Sequence, residues 1–416
     1  MDRMTWLCGA LALGLVVLGV LPWERAGSPW RPPHAEREAA ARAHWDDDLI
    51  ARGREYRSNG YALYFLRKGI VGLLLVATVA FGWSRALRRV PRAGTVLGST
   101  IALVACLVAL DIVNIPFGLA SLANRKAFGL STQSLGLWAA DHVKGLGISI
   151  ATAAIVGAAL FALVRRFPRA WPLPATAAAG VGGAVYAWLM PIAIAPLFNT
   201  FTPLPDEALR ARFLDLARRG GAEVKEVLVT DASRRTTSLN AYFSGFGPSR
   251  QIVVYDTLVE TLTPAQAGLV VAHEVGHWRR SHIAKGIALG TIGVGLALLI
   301  AQRILSRARA GAGGIGGGPI AARERWSDPA IVPRLLLVYW ALTFVALPIE
   351  NAISRRFERE ADEFAIALCR DPATHIEVEE AMARKNLADV VPPPFIEMLL
   401  FSHPATLDRI ALAERR

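Results

Sequence analysis

Long apolar runs constrain this chain more than any other feature of its sequence. A transmembrane helix needs about 20 predominantly apolar residues, and seven runs close to that length occur. They lie at residues 6–23, 61–83, 96–120, 146–164, 175–198, 283–300 and 331–349. Because lipid cannot satisfy exposed backbone groups, such runs cross a membrane as helices. The sequence therefore predicts a mainly α-helical, polytopic membrane protein with six or seven transmembrane helices.

The first run has a second interpretation, because a secretory signal peptide has a similar apolar core. Such a peptide ends in a small-x-small cleavage site, and Leu21-Pro22-Trp23 provides none. We therefore predict an uncleaved first span. The second run is interrupted by Arg67 and Lys68, and for this reason the predicted number of spans is six or seven.

The charge balance favours lipid over nucleic acid as a partner. The chain has 46 Lys and Arg residues against 34 Asp and Glu residues, and 53% of its residues are hydrophobic. The basic residues lie between the apolar runs and form no patch interleaved with aromatic residues. We therefore expect membrane lipids, and no nucleic acid, as partners. Lysine contributes only six of the 46 basic residues, which is typical of GC-rich bacterial genomes and predicts a bacterial cell membrane.

Two longer polar regions, 24–60 and 199–282, interrupt the apolar runs, and the second has the pattern of a folded domain. It contains a helical pattern at 206–219, strands at 227–229 and 252–255, and an alternating run at 238–243. The sequence Gly-Phe-Gly-Pro at 245–248 separates the alternating run from the strand that follows it. We therefore predict a small domain that contains a hairpin-like β ribbon.

One helix of this domain carries a metal-binding motif. The sequence Thr-Pro-Ala-Gln at 263–266 is typical of a helix start, with an N-cap, a first-turn proline and a capping-box glutamine. His273 and His277 follow on this helix, four residues apart, so both imidazoles can bind one Zn²⁺. Glu274 lies beside the metal position and can take a proton from zinc-bound water. The spacing therefore predicts a catalytic zinc site.

Chance is the competing explanation for this motif. In a chain with eight histidines, the spacing arises in roughly one sequence in a hundred. The motif here follows the apolar residues 269–272 on a predicted helix, where a buried polar cluster needs a compensating partner such as a metal. Its placement favours the metal site over chance.

A catalytic zinc needs a third protein ligand and an open position for water. His282 lies five residues after His277, about 140° round a helix, and we interpret it as a residue at the membrane edge. Beyond the seventh run, Glu358 and Asp362 are four residues apart and share a helical face. Glu358 could therefore bind zinc while Asp362 orients a ligand histidine.

Two other carboxylates lie in the same segment. Glu363 stays open as an alternative third ligand, because spacing alone does not choose between it and Glu358. Glu360 points roughly the opposite way from Glu358, and we interpret it as a solvated partner of Arg356 or Arg359.

Several sequence blocks resemble the type I CAAX prenyl protease family of integral-membrane zinc metallopeptidases. The blocks are IAPLFNTFTPLP at 194–205, SLNAYF at 238–243, VYDTL at 254–258, HEVGHW at 273–278, SRRFEREADEFA at 354–365 and SHP at 402–404. They follow the family order across residues 61–410. The resemblance implies a fold of seven helices enclosing a large chamber, with a zincin-like metallopeptidase domain across one end.

The resemblance also assigns roles to individual residues. It implies zinc ligands His273, His277 and Glu358; the general base Glu274; His403 as a stabiliser of the oxyanion; Asp362 and Arg409 as supports of the site; and Asn240, Ala241 and Tyr242 as substrate-binding residues. The last three residues would form an edge strand that pairs with the backbone of a peptide substrate. One Zn²⁺ per chain is expected.

On this basis we divide the chain into four parts. Residues 1–198 form an N-terminal region with spans one to five, and residues 199–282 form the metallopeptidase domain. Residues 283–350 hold spans six and seven, joined by a glycine-rich flexible loop at 311–319, and residues 351–416 complete the site. The expected substrates are prenylated CAAX-type peptides or other membrane-associated peptides.

Membrane orientation receives two opposing indications. The family places the zinc domain and the C-terminus on the cytoplasmic side. Arginines in two short loops, at 85–92 and 165–169, would instead be cytoplasmic under the positive-inside rule and leave the zinc domain outside. The longer polar regions are also rich in arginine, which weakens that count, and we adopt the family orientation.

Two other functions compete with the peptidase. A transporter or channel could keep a structural metal, with Asp111 and Asn114 of the third span lining its path. We favour a chamber lining or a helix–helix hydrogen bond for these two residues. A membrane scaffold could instead only bind lipidated peptides. Glu274 argues against both, because a structural zinc needs four ligands and no base.

Overall fold

The computed structural model describes residues 34–244, 250–310 and 328–416. Three predicted features lie outside these residues: the first span at 6–23, the Gly-Phe-Gly-Pro break at 245–248 and the glycine-rich loop at 311–319. The remaining predicted spans and the polar domain are described.

The N-terminal part is helical. A short helix, α1 (His34–His44), precedes four long helices, α2 (Asp47–Ala80), α3 (Val96–Ala127), α4 (Leu135–Arg166) and α5 (Pro172–Leu189). Helix α2 continues through Arg67 and Lys68 without a break. Helix α5 changes to a π-helical turn at Met190–Ile194 and a 3-10 turn at Ala195–Leu197. Pro191 and Pro196 explain this change, because proline removes a helical backbone donor.

The polar domain combines a four-stranded sheet with three helices. In chain order its elements are β1 (Phe201–Pro203), α6 (Glu207–Arg219), β2 (Glu226–Thr230), β3 (Ala241–Ser244), β4 (Gln251–Tyr255), α7 (Asp256–Thr261) and α8 (Pro264–Arg279). The sheet order is β1-β2-β4-β3, with β2 and β4 parallel and the other pairs antiparallel. The predicted ribbon is confirmed as the β3–β4 pair, and β3 lies at a sheet edge within the described residues.

The C-terminal part begins with two long helices, α9 (His282–Ala310) and α10 (Val332–Cys369), followed by α11 (Pro372–Asn386), α12 (Pro394–Leu400) and α13 (Thr406–Glu414). In the described part of the chain, six helices are long and apolar enough to cross a membrane. They correspond to the second to seventh predicted spans. The sequence prediction of a polytopic helical membrane protein is therefore confirmed.

Helix α10 links the membrane region to the polar domain. It has 38 residues, or about 57 Å at the rise of an α-helix, whereas the hydrocarbon core of a bilayer is about 30 Å thick. Its C-terminal half packs against α8. Gly276 permits this contact, because a Cβ atom there would lie 3.1 Å from the Cα of Ala361.

The polar domain lies at one end of the helix bundle. The turn between α3 and α4 contacts it, where the Ser131 hydroxyl donates to the carbonyl of Arg235 at 3.0 Å and the Thr236 hydroxyl donates to that of Leu130 at 3.2 Å. At the opposite end of the bundle, in the segment that precedes the start of α3, Arg88 forms an ion pair with Asp328 at 2.7 Å. Asp328 precedes the start of α10. The arginine-rich loops at 85–92 and 165–169 therefore lie at the end of the bundle away from the polar domain.

Candidate metal centre

Helix α8 is held at its start and along one face. The Thr263 hydroxyl accepts from the N–H of Gln266, and the Gln266 side chain accepts from the N–H of Thr263, so the predicted capping box is confirmed. Val271 and Val275 are fully buried in the core that α8 shares with the sheet and α6. These contacts fix the rotation of α8 about its axis.

That rotation brings two imidazoles toward α10. The Nε2 atoms of His273 and His277 lie 3.0 Å apart. Each lies close to a carboxylate oxygen of Glu358 on α10, at 3.3 Å for His273 and 3.4 Å for His277. One possible ligand atom from each of the three residues lies within 4.8 Å of the other two. The structure thus brings the three predicted ligands together.

The chemistry of this group fits a divalent metal. Two Nε2 atoms at 3.0 Å cannot both be unprotonated and unliganded without repelling each other. The Oε2 atom of Glu358 is buried and has no hydrogen-bond partner among the described residues, although His273 lies at ion-pair distance. Two imidazoles and one carboxylate form a common ligand set of catalytic zinc. A cation between them would satisfy all three side chains.

A buried ion-pair network supports His273. Its Nδ1 atom lies 2.8 Å from Asp362 Oδ1, and Asp362 also accepts two hydrogen bonds from Arg409. Arg409 Nη1 lies 2.9 Å from Glu379 Oε1. Burial lowers the pKa of His273, but the carboxylates of Asp362 and Glu358 outweigh burial and raise that pKa to about 10. The site therefore strongly favours positive charge at this imidazole, as a proton or as a metal.

Glu274 faces the site from the same helix. Burial raises the pKa of its carboxyl group, while His273 and His277 act in the opposite direction. The N–H of Phe243, on β3, is a hydrogen-bond partner of this carboxyl group. The base candidate is therefore tied to the strand predicted to bind substrate, and its raised pKa makes it a stronger base than a solvated glutamate.

His403 reaches the site from the segment before α13. Its Nε2 atom lies 3.4 Å from Glu358 Oε2, and its side chain is 61% exposed. The Ser402 hydroxyl lies 3.0 Å from His403 Nδ1. This histidine therefore stands at the open side of the group.

The predicted substrate-binding residues lie at the sheet edge. The carbonyl of Asn240 accepts from the N–H of Tyr255 at 3.0 Å, while its side chain accepts from the N–H of Ala241 at 2.9 Å. Burial raises the pKa of Tyr242 to about 12. The N–H of Ala241 thus has the side chain of the preceding residue, Asn240, as its hydrogen-bond acceptor.

His282 is the first residue of α9, a candidate membrane span, in keeping with its interpretation as a membrane-edge residue, but its side chain also contacts the site. Its side chain is 4% exposed, and its Nδ1 atom lies 3.0 Å from Nδ1 of His277. The helical offset between these histidines does not apply, because α8 ends at Arg279 and Ser281 has a φ of 55°. The turn redirects the chain and returns His282 to the site.

The structure also resolves the acidic segment of α10. Glu360 Oε1 accepts from Arg356 at 3.1 Å, as predicted, but Glu360 Oε2 also lies 3.3 Å from His282 Nε2. Glu363 pairs with Arg416 at 3.6 Å and is 37% exposed, away from the three-residue group. Helical spacing left Glu358 and Glu363 as candidates for the third ligand, and the two histidines lie beside Glu358.

Two polar residues of the membrane region form hydrogen bonds. Asp111 on α3 pairs with His142 on α4 at 3.0 Å, which confirms the helix–helix hydrogen bond favoured for it. Asn114 donates to the carbonyl of Leu110 on its own helix at 2.7 Å. Neither contact requires a transport path.

Sequence reasoning missed Glu379 and His375, both on α11. Glu379 is 3% exposed and His375 is 1% exposed. Burial raises the pKa of Glu379 to about 7 and lowers that of His375 to about 4. The sequence carried no signal for them, because α11 reaches the site only through tertiary packing.

Known families and structures are similar to this chain over most of its length. The model of peptidase family M48 matches residues 203–416, and the model of the CAAX prenyl protease N-terminal region, described as five membrane helices, matches residues 33–200. The uncharacterized metalloprotease YhfN of Bacillus subtilis is 28% identical over 305 residues, which cover 69% of this chain and 66% of YhfN. CAAX prenyl protease 1 of Saccharomyces cerevisiae is 27% identical over 334 residues, which cover 75% of this chain and 72% of that protein. The crystal structure of S. mikatae Ste24p superimposes with a TM-score of 0.78 at 21% identity, covering 98% of both chains, and shares the fold.

Proposed function

This chain belongs to peptidase family M48, and from that premise we propose that it is a zinc endopeptidase of membrane-associated peptides. The family and the homologues of this chain are membrane metalloproteases. Our proposal adds that the metal is zinc, that the substrates are membrane-associated peptides and that single residues have the roles given below. The observation that carries it is the group of His273, His277 and Glu358, whose donor atoms lie within 4.8 Å beside Glu274.

His273, His277 and Glu358 would hold the metal. A zinc ion held by these residues would polarise the scissile carbonyl and lower the pKa of water. Glu274 then takes a proton from the attacking water at its carboxylate and passes it to the leaving amine. Burial raises the pKa of Glu274, so its carboxylate takes up this proton more readily than a solvated glutamate would.

His403 and the β3 edge would position the substrate. His403 Nε2 faces Glu358 from the exposed side of the group, where an N–H can donate to the negative oxygen that develops on the carbonyl. Residues Asn240, Ala241 and Tyr242 would pair with an extended peptide, since β3 lies at the sheet edge. The hydrogen bond between Phe243 and Glu274 places this strand beside the base.

The substrate class follows from the membrane helices and the relatives. Relatives in yeast and in rice are CAAX prenyl proteases, and the rice homologue is 26% identical over 88% of this chain. A site at the point where α10 leaves the membrane suits a peptide tethered to lipid. We therefore propose prenylated CAAX-type peptides or other membrane-associated peptides as substrates.

The proposed orientation places the zinc domain in the cytoplasm of a bacterial cell. The arginine-rich loops at the far end of the bundle favour the opposite orientation under the positive-inside rule, and we adopt the orientation that the family resemblance implies. Labelling of a single cysteine introduced at exposed Glu223, in intact cells and in inside-out vesicles, distinguishes the two. Labelling only in inside-out vesicles supports the proposal, and labelling in intact cells contradicts it.

One pair of preparations tests the proposed activity. Zinc content is measured by elemental analysis in the wild type and in Glu358→Ala, and both are offered one CAAX-type peptide with and without a prenyl group. We expect about one zinc per chain and cleavage in the wild type, with both lost in Glu358→Ala. A structural metal in a transporter or scaffold would leave zinc bound without hydrolysis of either peptide. Full zinc content and activity in Glu358→Ala would exclude Glu358 as a ligand.

A further inference from the structure

We propose that His282 and Glu360 are positioning residues that fix the tautomer and orientation of His277, as Asp362 does for His273. This inference rests on the proposed function, because it assumes that both histidines bind a metal through Nε2. It adds two residues that belong neither to the His273–His277 motif nor to the face shared by Glu358 and Asp362. Metal-binding histidines generally donate their second ring N–H to an oriented acceptor.

The contacts of the two ligand histidines are parallel. Their Nε2 atoms face each other and Glu358. On the other side of each ring, Nδ1 of His273 lies 2.8 Å from Asp362, and Nδ1 of His277 lies 3.0 Å from Nδ1 of His282. The second contact is continued by Glu360 Oε2, 3.3 Å from His282 Nε2.

The ring nitrogens permit one consistent order of protons. A histidine that binds metal through Nε2 carries its proton on Nδ1. The Nδ1–H of His277 therefore needs an acceptor, and His282 Nδ1 is an acceptor only when the His282 proton is on Nε2. That Nε2–H then donates to Glu360. Every donor in this chain of three side chains meets an acceptor.

Packing holds the His282 ring in this position. The ring stacks on Phe357, with centroids 4.3 Å apart and an angle of 6° between the planes. The N–H of Ser281, whose φ is 55°, donates to the carbonyl of Trp278 at 2.9 Å and closes the turn before His282. Glu360 is in turn fixed by Arg356 at 3.1 Å.

The arrangement connects a membrane helix to the metal group. His282 is the first residue of α9, whereas the metal-binding candidates come from α8 and α10. The orientation of His277 consequently depends on where α9 begins. Asp362 supports His273 from α10 alone.

Two substitutions at position 282 separate positioning from packing. His282→Phe keeps an aromatic ring that can stack on Phe357 but removes the acceptor for His277. His282→Asn loses the ring, yet its Oδ1 atom lies the same number of bonds from the backbone as histidine Nδ1 and can accept from His277. A packing role predicts that Asn is worse than Phe, and the positioning role predicts the reverse.

The measurement is zinc affinity by chelator competition, with the visible spectrum of the cobalt-substituted protein as a second readout. We expect His282→Phe to weaken zinc binding by about 10- to 100-fold and to alter the cobalt spectrum. His282→Asn should keep an affinity closer to that of the wild type. Glu360→Met, at a side chain that is 25% exposed, should weaken binding about 10-fold and provides a second test if His282→Phe does not fold.

His142→Phe is the matched control. It removes another imidazole–carboxylate pair, since His142 pairs with Asp111 at 3.0 Å and stacks on Trp138. Its zinc affinity should equal that of the wild type. Wild-type affinity and an unchanged cobalt spectrum in both His282→Phe and Glu360→Met would overturn this inference alone. A wild-type protein that binds no zinc would overturn the proposed function, and this inference with it.

Discussion

Arg409 holds Asp362 with two hydrogen bonds, from Nε to Oδ2 at 2.8 Å and from Nη2 to Oδ1 at 2.6 Å. The side chain of Asp362 is 1% exposed, so its charge depends on this guanidinium. The same guanidinium pairs with Glu379. Removal of Arg409 would leave the buried carboxyl groups of Asp362 and Glu379 without their guanidinium partner, and both the fold and the support of His273 depend on that pairing.

We predict that Arg409→Leu lowers stability by about 3 to 5 kcal/mol, the usual cost of an unpaired buried charge. The melting temperature of the purified protein in detergent should fall clearly. Arg210→Leu serves as the control, because its partner Glu226 is 23% exposed and a solvent-screened pair contributes little to stability. Equal losses in the two variants would contradict the buried network.

Asp362→Ala should weaken zinc binding by about 10- to 100-fold without removing a ligand. The physical reason is the 2.8 Å contact with His273 Nδ1, which orients that ring. Zinc affinity measured by chelator competition separates this effect from Glu358→Ala, which should lower the zinc content itself. Unchanged affinity in Asp362→Ala would show that His273 is oriented without Asp362.

Ala241→Pro tests the role of the sheet edge. The N–H that proline removes donates to Asn240 Oδ1 and not to β4, so the β3–β4 pairing should survive. In the substrate-strand role this N–H would turn from Asn240 Oδ1 to a carbonyl of the peptide, a bond that proline cannot make. We therefore expect the KM for a peptide to rise by about 2- to 10-fold, the effect of losing about one backbone hydrogen bond. Zinc content should stay at the wild-type level. Peptide kinetics equal to those of the wild type would dismiss the substrate-strand role.

How far the sequence predicts the site depends on whether its residues share one helix. His273, Glu274 and His277 lie on α8, so their spacing alone indicates the chemistry. Glu358 and Asp362 share a face of α10, but the choice of Glu358 over Glu363 needs the packing of α8 against α10. His282 could not be placed, because a helical wheel fails where Ser281 adopts a positive φ.

The fold shows the same division. Long apolar runs predict the membrane helices, and the capping box predicts the start of α8. Strand β1 was missed, because three residues that include Pro203 carry no period-two pattern. The parallel pairing of β2 with β4 is also a tertiary feature, since the two strands are not consecutive in the chain.

The buried side chain of His375 should make the stability of the folded protein fall in acid. Among the described residues neither of its ring nitrogens has a hydrogen-bond partner, and burial lowers its pKa to about 4. His375→Leu removes two unsatisfied polar atoms, so it should raise stability by about 1 to 3 kcal/mol at pH 7.5. Between pH 6.5 and 4 the unfolded chain binds a proton at His375 and the folded chain does not, so acid destabilises the wild type there.

The melting temperatures of the wild type and His375→Leu at pH 7.5 and pH 5 check this account. The difference between the two proteins should be larger at pH 5. A difference that shrinks on acidification would mean that His375 gains a proton on folding.

The most direct test of the central claim is to measure bound zinc and peptide hydrolysis on one preparation of Glu274→Gln. Glutamine keeps the size and shape of the side chain but cannot accept a proton from water. Zinc content should equal that of the wild type, because Glu274 binds no metal in this account. Turnover should fall by at least about 10²-fold, the lower end of the effect of losing a general base. Cleavage at the wild-type rate by the zinc-loaded Gln variant would contradict the account.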